Sequence, residues 1–146
     1  KNFKNWVATE GKVYFVPVPL HSSRLRERGY NQTEKIAQAL AVSCGGKVWK
    51  ALARRSFSVS QTKLSKSERV LNVAGAFVLK KRMNLSPKDL IVIIDDVFTT
   101  GATTGACAYA LKRNGYNNIK VCTLLFEKPI SVELDFVADR QEDWLI

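Results

Sequence analysis

Three cysteines and one histidine are all that 146 residues offer of the usual thiol and metal chemistry. Cys44, Cys107 and Cys122 are an odd number, widely spaced and without a C-x-x-C pair, so the sequence encodes neither a disulfide framework nor a structural zinc site. A reducing cytoplasm is the compartment such a chain fits. His21, the one histidine, is read as a hydrogen-bonding loop residue rather than a general base. No uninterrupted apolar run, Leu90 to Ile94 included, approaches the ~20 residues that cross a bilayer. The cationic start, Lys1 to Trp6, leads into no apolar stretch with a small-residue cleavage site, so no export signal is expected. There is no G-x-x-x-x-G-K-[ST] and no G-x-G-x-x-G after a strand, which leaves a P-loop nucleotidase or a Rossmann dehydrogenase without support. Repeats, low-complexity segments and dividing linkers are missing as well. Trp6, Trp49 and Trp144 are scattered and form no visible stacking platform for bases.

What is there suits one globular domain over 1–146. Hydrophobic residues make up 46% and charged residues 25%, enough apolar material for a core. Lys and Arg number 23 against 13 Asp and Glu, a net charge of +10. The distribution is uneven: residues 1–88 hold 18 cations and 4 anions (+14), residues 89–146 hold 5 and 9 (−4). A basic surface attracts nucleic acid, anionic membrane or small polyphosphates, and composition does not choose among them.

Lys12 to Val18 is β-branched and aromatic, a strand whose prolines suit a strand that is ending rather than a central one. Leu20 to Tyr30, with Arg24, Arg26 and Arg28, lacks apolar periodicity over most of its length and reads as a basic loop, with or without a turn of helix. Asn31 and Glu34 form a capping-box signature ahead of helically spaced Ile36, Ala37, Leu40 and Ala41, and Gly45-Gly46 stops that helix. Short strands are expected at 48–53 and 76–79, with a polar, serine-rich stretch at 54–68 between them. Leu90 to Ile94 has the pattern of a strand buried on both faces of a parallel sheet and ending in Asp95-Asp96. A helix from about 103 to 114 and a strand at 119–126 complete a βαβ unit. The fold class is therefore α/β with a mostly parallel twisted sheet flanked by helices.

Asp95 and Asp96 followed by Thr99-Thr100-Gly101-Ala102-Thr103-Thr104 is the segment richest in chemistry. Ligands of open α/β sheets sit beyond the carboxyl ends of strands. A turn of threonines and one glycine entering a helix offers backbone N–H groups, hydroxyls and the positive helix end to a phosphate. Two carboxylates just before it suit a vicinal diol and Mg²⁺. Together they read as a cradle for ribose 5-phosphate. The plainer alternative is a capped helix after a buried strand, with two acids that only mark the strand's end.

Val92 to Thr103 resembles the motif of type I phosphoribosyltransferases that binds 5-phosphoribosyl 1-diphosphate (PRPP). Val16-Pro17-Val18-Pro19-Leu20-His21, then Arg24, Arg28-Gly29-Tyr30-Asn31-Gln32, and later Gln61, Leu64-Ser65, Glu68-Arg69, Asn72-Val73 and Ala76-Phe77 resemble the ComF/GntX family of phosphoribosyltransferase-like proteins, some linked to DNA uptake in natural competence. The likeness covers residues 13 to 126. It implies a phosphoribosyltransferase in which Asp95 and Asp96 meet the ribose hydroxyls and hold Mg²⁺, while Thr99, Thr100, Gly101, Ala102 and Thr103 wrap the 5-phosphate. Leu20, His21, Arg24 and Arg28 would meet pyrophosphate, the arginines through their bidentate forks. Residues 54–67 would form a mobile hood with Arg54, Gln61 and Lys63 as contributors to catalysis. Adjacent strand residues face opposite ways, so both acids can serve one ligand only where the pleat relaxes. Relatives usually carry an amino-terminal zinc ribbon, for which the paired cysteines are missing here; the expectation is either a chain that begins after it, which Lys1 in place of Met favours, or a natural variant without it. The acceptor has no readable signature, and the basic half leaves a nucleic-acid-binding or competence accessory role as the alternative function.

Overall fold

The computed structural model describes residues 3–55 and 75–126. These hold helix α1 (Phe3–Trp6), strand β1 (Val13–Pro17), helices α2 (Ser22–Arg28) and α3 (Gln32–Cys44), short strands β2 (Lys47–Val48), β3 (Leu52–Arg54) and β4 (Phe77–Leu79), strand β5 (Leu90–Phe98), helix α4 (Ala102–Lys112) and strand β6 (Ile119–Phe126). Four strands form one parallel sheet in the order β2-β1-β5-β6, and β3 and β4 pair separately as an antiparallel ribbon. The expected α/β class with a parallel sheet is what the chain adopts.

Side-chain alternation along β1 and β5 divides the core in two. Tyr14 and Val16 with Ile91 and Ile93 pack against Cys107, Ala110 and Leu111 of α4 and against Trp49 and Phe77. Phe15 with Leu90, Val92 and Ile94 packs against Ala37 and Ala41 of α3 and against Val7. A period of two along each strand and of 3.6 along each helix thus gives a three-layer sandwich, with Cys107 fully buried inside it.

Four expectations change. The 20–30 segment is not a basic loop: it holds the two-turn helix α2, capped by His21, whose Nδ1 accepts from the Ser23 N–H, and ended by Gly29 at φ 75°. Periodicity could not reveal it because none of its residues is buried. Residues 48–53 are not one strand, since Lys47–Val48 extends the main sheet whereas Leu52–Arg54 leaves it to pair with β4. β1 is interior, flanked by β2 and β5, with its missing Pro17 donor at the final position, where Val18 N–H takes over by donating to Ile94 O. Glu34 does not complete a capping box. Its carboxylate pairs with Lys50, while Asn31 alone caps α3 through the Thr33 N–H and also donates to Val18 O.

The chain proceeds from β1 outward to β2, then returns to the opposite side of β1 to lay down β5 and β6. Strand order therefore reverses between β1 and β5, which opens a crevice at their carboxyl ends.

Candidate functional site

β5 outruns its neighbour. Pairing with β1 stops at Pro17↔Ile94, yet β5 continues beside β6 through Val97↔Leu125 and Phe98↔Phe126. The strand expected to end at the acid pair thus carries Asp95 and Asp96 onto a two-stranded ribbon that projects beyond the sheet. Asp95 is 8% exposed, and Asp96 is half-buried.

Strand pairing continues past the acid pair, and the two side chains influence each other directly. Asp95 Oδ1 accepts the Asp96 N–H at 3.1 Å, and Asp96 Oδ1 accepts the Val97 N–H at 2.9 Å, so both carboxylates bend along the chain toward the carboxyl end. Burial, offset in part by the Asp96 N–H and reinforced by the neighbouring Asp96 charge, pushes Asp95 up to about 6. Neither acid has an ion-pair partner among the described residues. Asp95 also acts inward. Asp95 shares the face of β5 on which Ile91 and Ile93 pack against α4, and burial first and then the Asp95 charge push the Cys107 thiol up, with Arg54 opposing.

The turn into α4 is fixed by Gly101. Its φ of 74° is left-handed, and a Cβ there would lie 2.8 Å from the Phe98 ring, so no other residue fits without displacing that ring. Gly101 O accepts from the Gly105 N–H and the Thr104 hydroxyl, and Thr100 Oγ1 accepts weakly from Ala102 N–H at 3.4 Å. The first turn therefore presents the Thr103 and Thr104 N–H groups at the positive end of α4. Asp95, Val97, Phe98, Thr99, Gly101, Ala102, Thr103 and Thr104 line one small depression of about 20 Å³.

Of the residues singled out from the sequence, Asp95, Thr99, Gly101, Ala102 and Thr103 meet at this depression, with Asp96 and Thr100 at its edge but outside its lining. Leu20 and His21 lie between β1 and α2, on the other side of the crevice, and Arg24 and Arg28 are exposed on α2, one turn apart. Arg28 donates to Gln32 Oε1 at 2.8 Å. Arg54 ends β3, its guanidinium 5.6 Å from the centre of the Phe77 ring. Gln61, Lys63 and the hood segment from 56 onward lie outside the described residues. Thr104, the last of the threonine run noted in the sequence, also lines the depression, whereas Val97 and Phe98 were not singled out because nothing in the sequence sets them apart from ordinary strand residues.

Two converging carboxylates are hard oxygen donors, the set that Mg²⁺ takes when substrate phosphates and waters complete its shell. Among the described residues no group of three or more metal-ligating side chains is assembled, so any such ion would be held largely by its substrate. A larger cavity of about 430 Å³ lies at the opposite, amino end of β5 beside Asp89, Tyr116 and Asn118. Two of its polar groups are already engaged: Asp89 accepts from the Lys12 and Ser86 N–H groups, and the Tyr116 hydroxyl bonds both N–H and C=O of Met83. No described helix is long and apolar enough to cross a membrane.

Comparison with known proteins gives 32% identity over 107 residues to competence protein F of Haemophilus influenzae, 32% over 129 residues to competence protein ComFC of Streptococcus pneumoniae and 38% over 112 residues to DNA utilization protein YhgH of Salmonella typhi. These matches take in 73%, 86% and 75% of the chain but 47%, 55% and 47% of the relatives. The chain thus spans about half the length of the curated relatives it matches. No family model matches the chain, and no solved structure gives a significant match.

Proposed function

Because the chain belongs to the ComF family, we propose that it is a phosphoribosyltransferase-like protein that binds PRPP with Mg²⁺ and transfers its ribose 5-phosphate to an acceptor, in the service of DNA uptake or utilization. The observation that carries this reading is the meeting, beside the crevice where strand order reverses, of a buried carboxylate without a cationic partner among the described residues and a glycine-shaped helix N-terminus. The N–H groups of Thr103 and Thr104, with the hydroxyls of Thr99 and Thr103, suit the 5-phosphate. Asp95 suits the ribose diol, and Asp96 beside it adds the second oxygen donor toward the metal. Arg24 and Arg28, across the crevice, suit the pyrophosphate.

In the transfer, the C1–oxygen bond to pyrophosphate breaks with its electron pair passing to the pyrophosphate oxygen, and a lone pair of the acceptor forms the new bond at C1. Bound Mg²⁺ would neutralise charge on the departing pyrophosphate. The carboxylate of Asp95 favours positive charge building on the ribose ring, and the arginines of α2 hold the leaving group. Isothermal titration of PRPP with Mg²⁺ into wild type and Asp95→Ala tests the reading. Saturable, metal-dependent binding that the substitution removes is expected; equal heats in both proteins, or none in either, would overturn it.

A second reading has its own support. α2 buries none of its residues and exposes Arg24, Arg26 and Arg28, and relatives bear names tied to DNA utilization and competence. An accessory that holds nucleic acid through this helix would bind by counterion release, with affinity falling steeply as salt rises.

A further inference from the structure

Val18 is tied on both sides. Its N–H donates to Ile94 O of β5 at 2.9 Å, one residue before Asp95, and its carbonyl meets two side chains from the start of α3. Asn31 Nδ2 donates to that oxygen at 3.0 Å. The Thr33 hydroxyl lies 2.7 Å from the same oxygen and 2.9 Å from Asn31 Oδ1, and shares its one proton between them. Asn31 and Thr33 are 6% and 4% exposed. Capping of α3 does not call for these contacts, because the bond from Thr33 N–H to Asn31 Oδ1 already supplies the cap. The surplus bonds run back to a strand end 13 and 15 residues earlier.

Between Val18 and Asn31 the chain leaves the body of the protein. None of residues 19–30 is buried, α2 included. The caps at His21 and Gly29 shape α2 from within, and the Arg28–Gln32 bond is exposed to water. What holds the excursion against the sheet is the clasp at its neck, where burial strengthens each hydrogen bond.

We infer that Thr33 and Asn31 are positioning residues for pyrophosphate: by clasping the Val18 carbonyl they set the 19–30 excursion, with Leu20, His21, Arg24 and Arg28, beside the acid pair that follows Ile94. The inference rests on the phosphoribosyl-transfer reading above and adds to it two residues that touch no ligand. Ribose 5-phosphate needs only the cradle of β5 and α4. The clasp therefore bears on one end of PRPP and not on the other.

The test uses the full chain and two probes, Mg²⁺·pyrophosphate and ribose 5-phosphate, titrated separately into wild type, Thr33→Val and Thr33→Ser at a temperature where all are folded. Thr33→Val keeps the volume and the Asn31 cap but removes the hydroxyl. It is expected to weaken pyrophosphate about tenfold, the scale of a misplaced binding group, and to leave ribose 5-phosphate within about twofold. Thr33→Ser is expected to bind both probes as wild type does. Hydrogen exchange supplies a readout without ligand: amides of 19–30 should exchange faster in Thr33→Val while those of 102–104 do not change. Should Thr33→Val fail to fold, Asn31→Ser, which preserves the cap and loses the reach to Val18, carries the same measurements. Pyrophosphate affinity unchanged, both probes weakened alike, no rescue by serine, or exchange over 19–30 unchanged overturns the clasp and leaves the parent reading standing. Wild type that binds ribose 5-phosphate but not Mg²⁺·pyrophosphate removes this inference with the cradle intact. Wild type that binds neither removes the parent reading and this inference with it.

Discussion

Asp95 Oδ1 accepts the backbone N–H of Asp96 at 3.1 Å, and the two carboxylates converge although the strand sends their Cβ atoms to opposite faces. Two negative groups placed together at a buried strand end, with no ion-pair partner among the described residues, are arranged against stability and in favour of a ligand.

The first prediction concerns pH. The folded-state pKa of Asp95 is raised from its ordinary 3.8 to about 6, so between those values the native state binds more protons than the unfolded chain. This contribution makes stability fall as pH rises from about 4 to about 6, and above 6 the whole cost remains. A shift of this size corresponds to roughly 3 kcal/mol. Asp95→Asn is expected to melt higher than wild type at pH 7.5, by an amount that shrinks as pH falls toward 4, while losing Mg²⁺·PRPP binding. Thermal melts across pH 4–8 check it; a variant less stable than wild type at pH 7.5 would contradict the account.

Asp89 runs the other way. Its carboxylate accepts the Lys12 and Ser86 N–H groups, and these bonds, the first from Lys12, hold its pKa below the usual value. Its contribution is present above the ordinary carboxylate pKa and is lost as pH falls through the lowered one. Asp89→Ala should therefore lower the melting temperature at pH 7, and the gap to wild type should close in strong acid. Mg²⁺·PRPP affinity measured at a temperature where both proteins are folded should not change, because the residue sits at the amino end of β5, away from the cradle.

Gly101→Ala should be destabilising by about 1–2 kcal/mol for the left-handed backbone alone, with the clash against Phe98 added. Phe98→Leu in the same chain should recover the steric part and leave the backbone part. Chemical denaturation of the two variants separates them; equal stability of both would mean that the ring does not bear on Gly101.

Arg24 and Arg28 divide the two functional readings. Under transfer chemistry, Arg24→Ala should weaken pyrophosphate competition against PRPP by about tenfold, the value of a charge-assisted hydrogen bond, and single-stranded DNA binding should be weak at moderate salt. Under the accessory reading, oligonucleotide affinity should fall with each arginine removed and its salt slope should drop by about one for each phosphate no longer neutralised, with PRPP binding untouched. Fluorescence anisotropy at two salt concentrations, beside PRPP titration, decides.

The uninterrupted β-branched run at 90–94, the Asn31 cap and the 119–126 strand were legible because each is a local pattern with a fixed period. The acid pair and its threonine turn were legible because the chemistry lies within twelve consecutive residues. Helix α2 was not, since a helix that buries nothing carries no apolar stripe. Nor was the division of 48–53 between two sheets, which depends on where the chain finds a pairing partner.

Sequence by itself thus determined the α/β class and the identity of the groups that could bind phosphate and diol, since both follow from short-range pattern and side-chain chemistry. Only the tertiary structure decided where those groups stand. Parallel register carried β5 past β1 and laid Phe98 against Phe126 across 28 residues. Reversal of strand order between β1 and β5 set the segment after β1, which leads into α2, beside the carboxyl end of β5. Pairings between distant segments leave no local period to read, because they are chosen by the burial of the sheet as a whole.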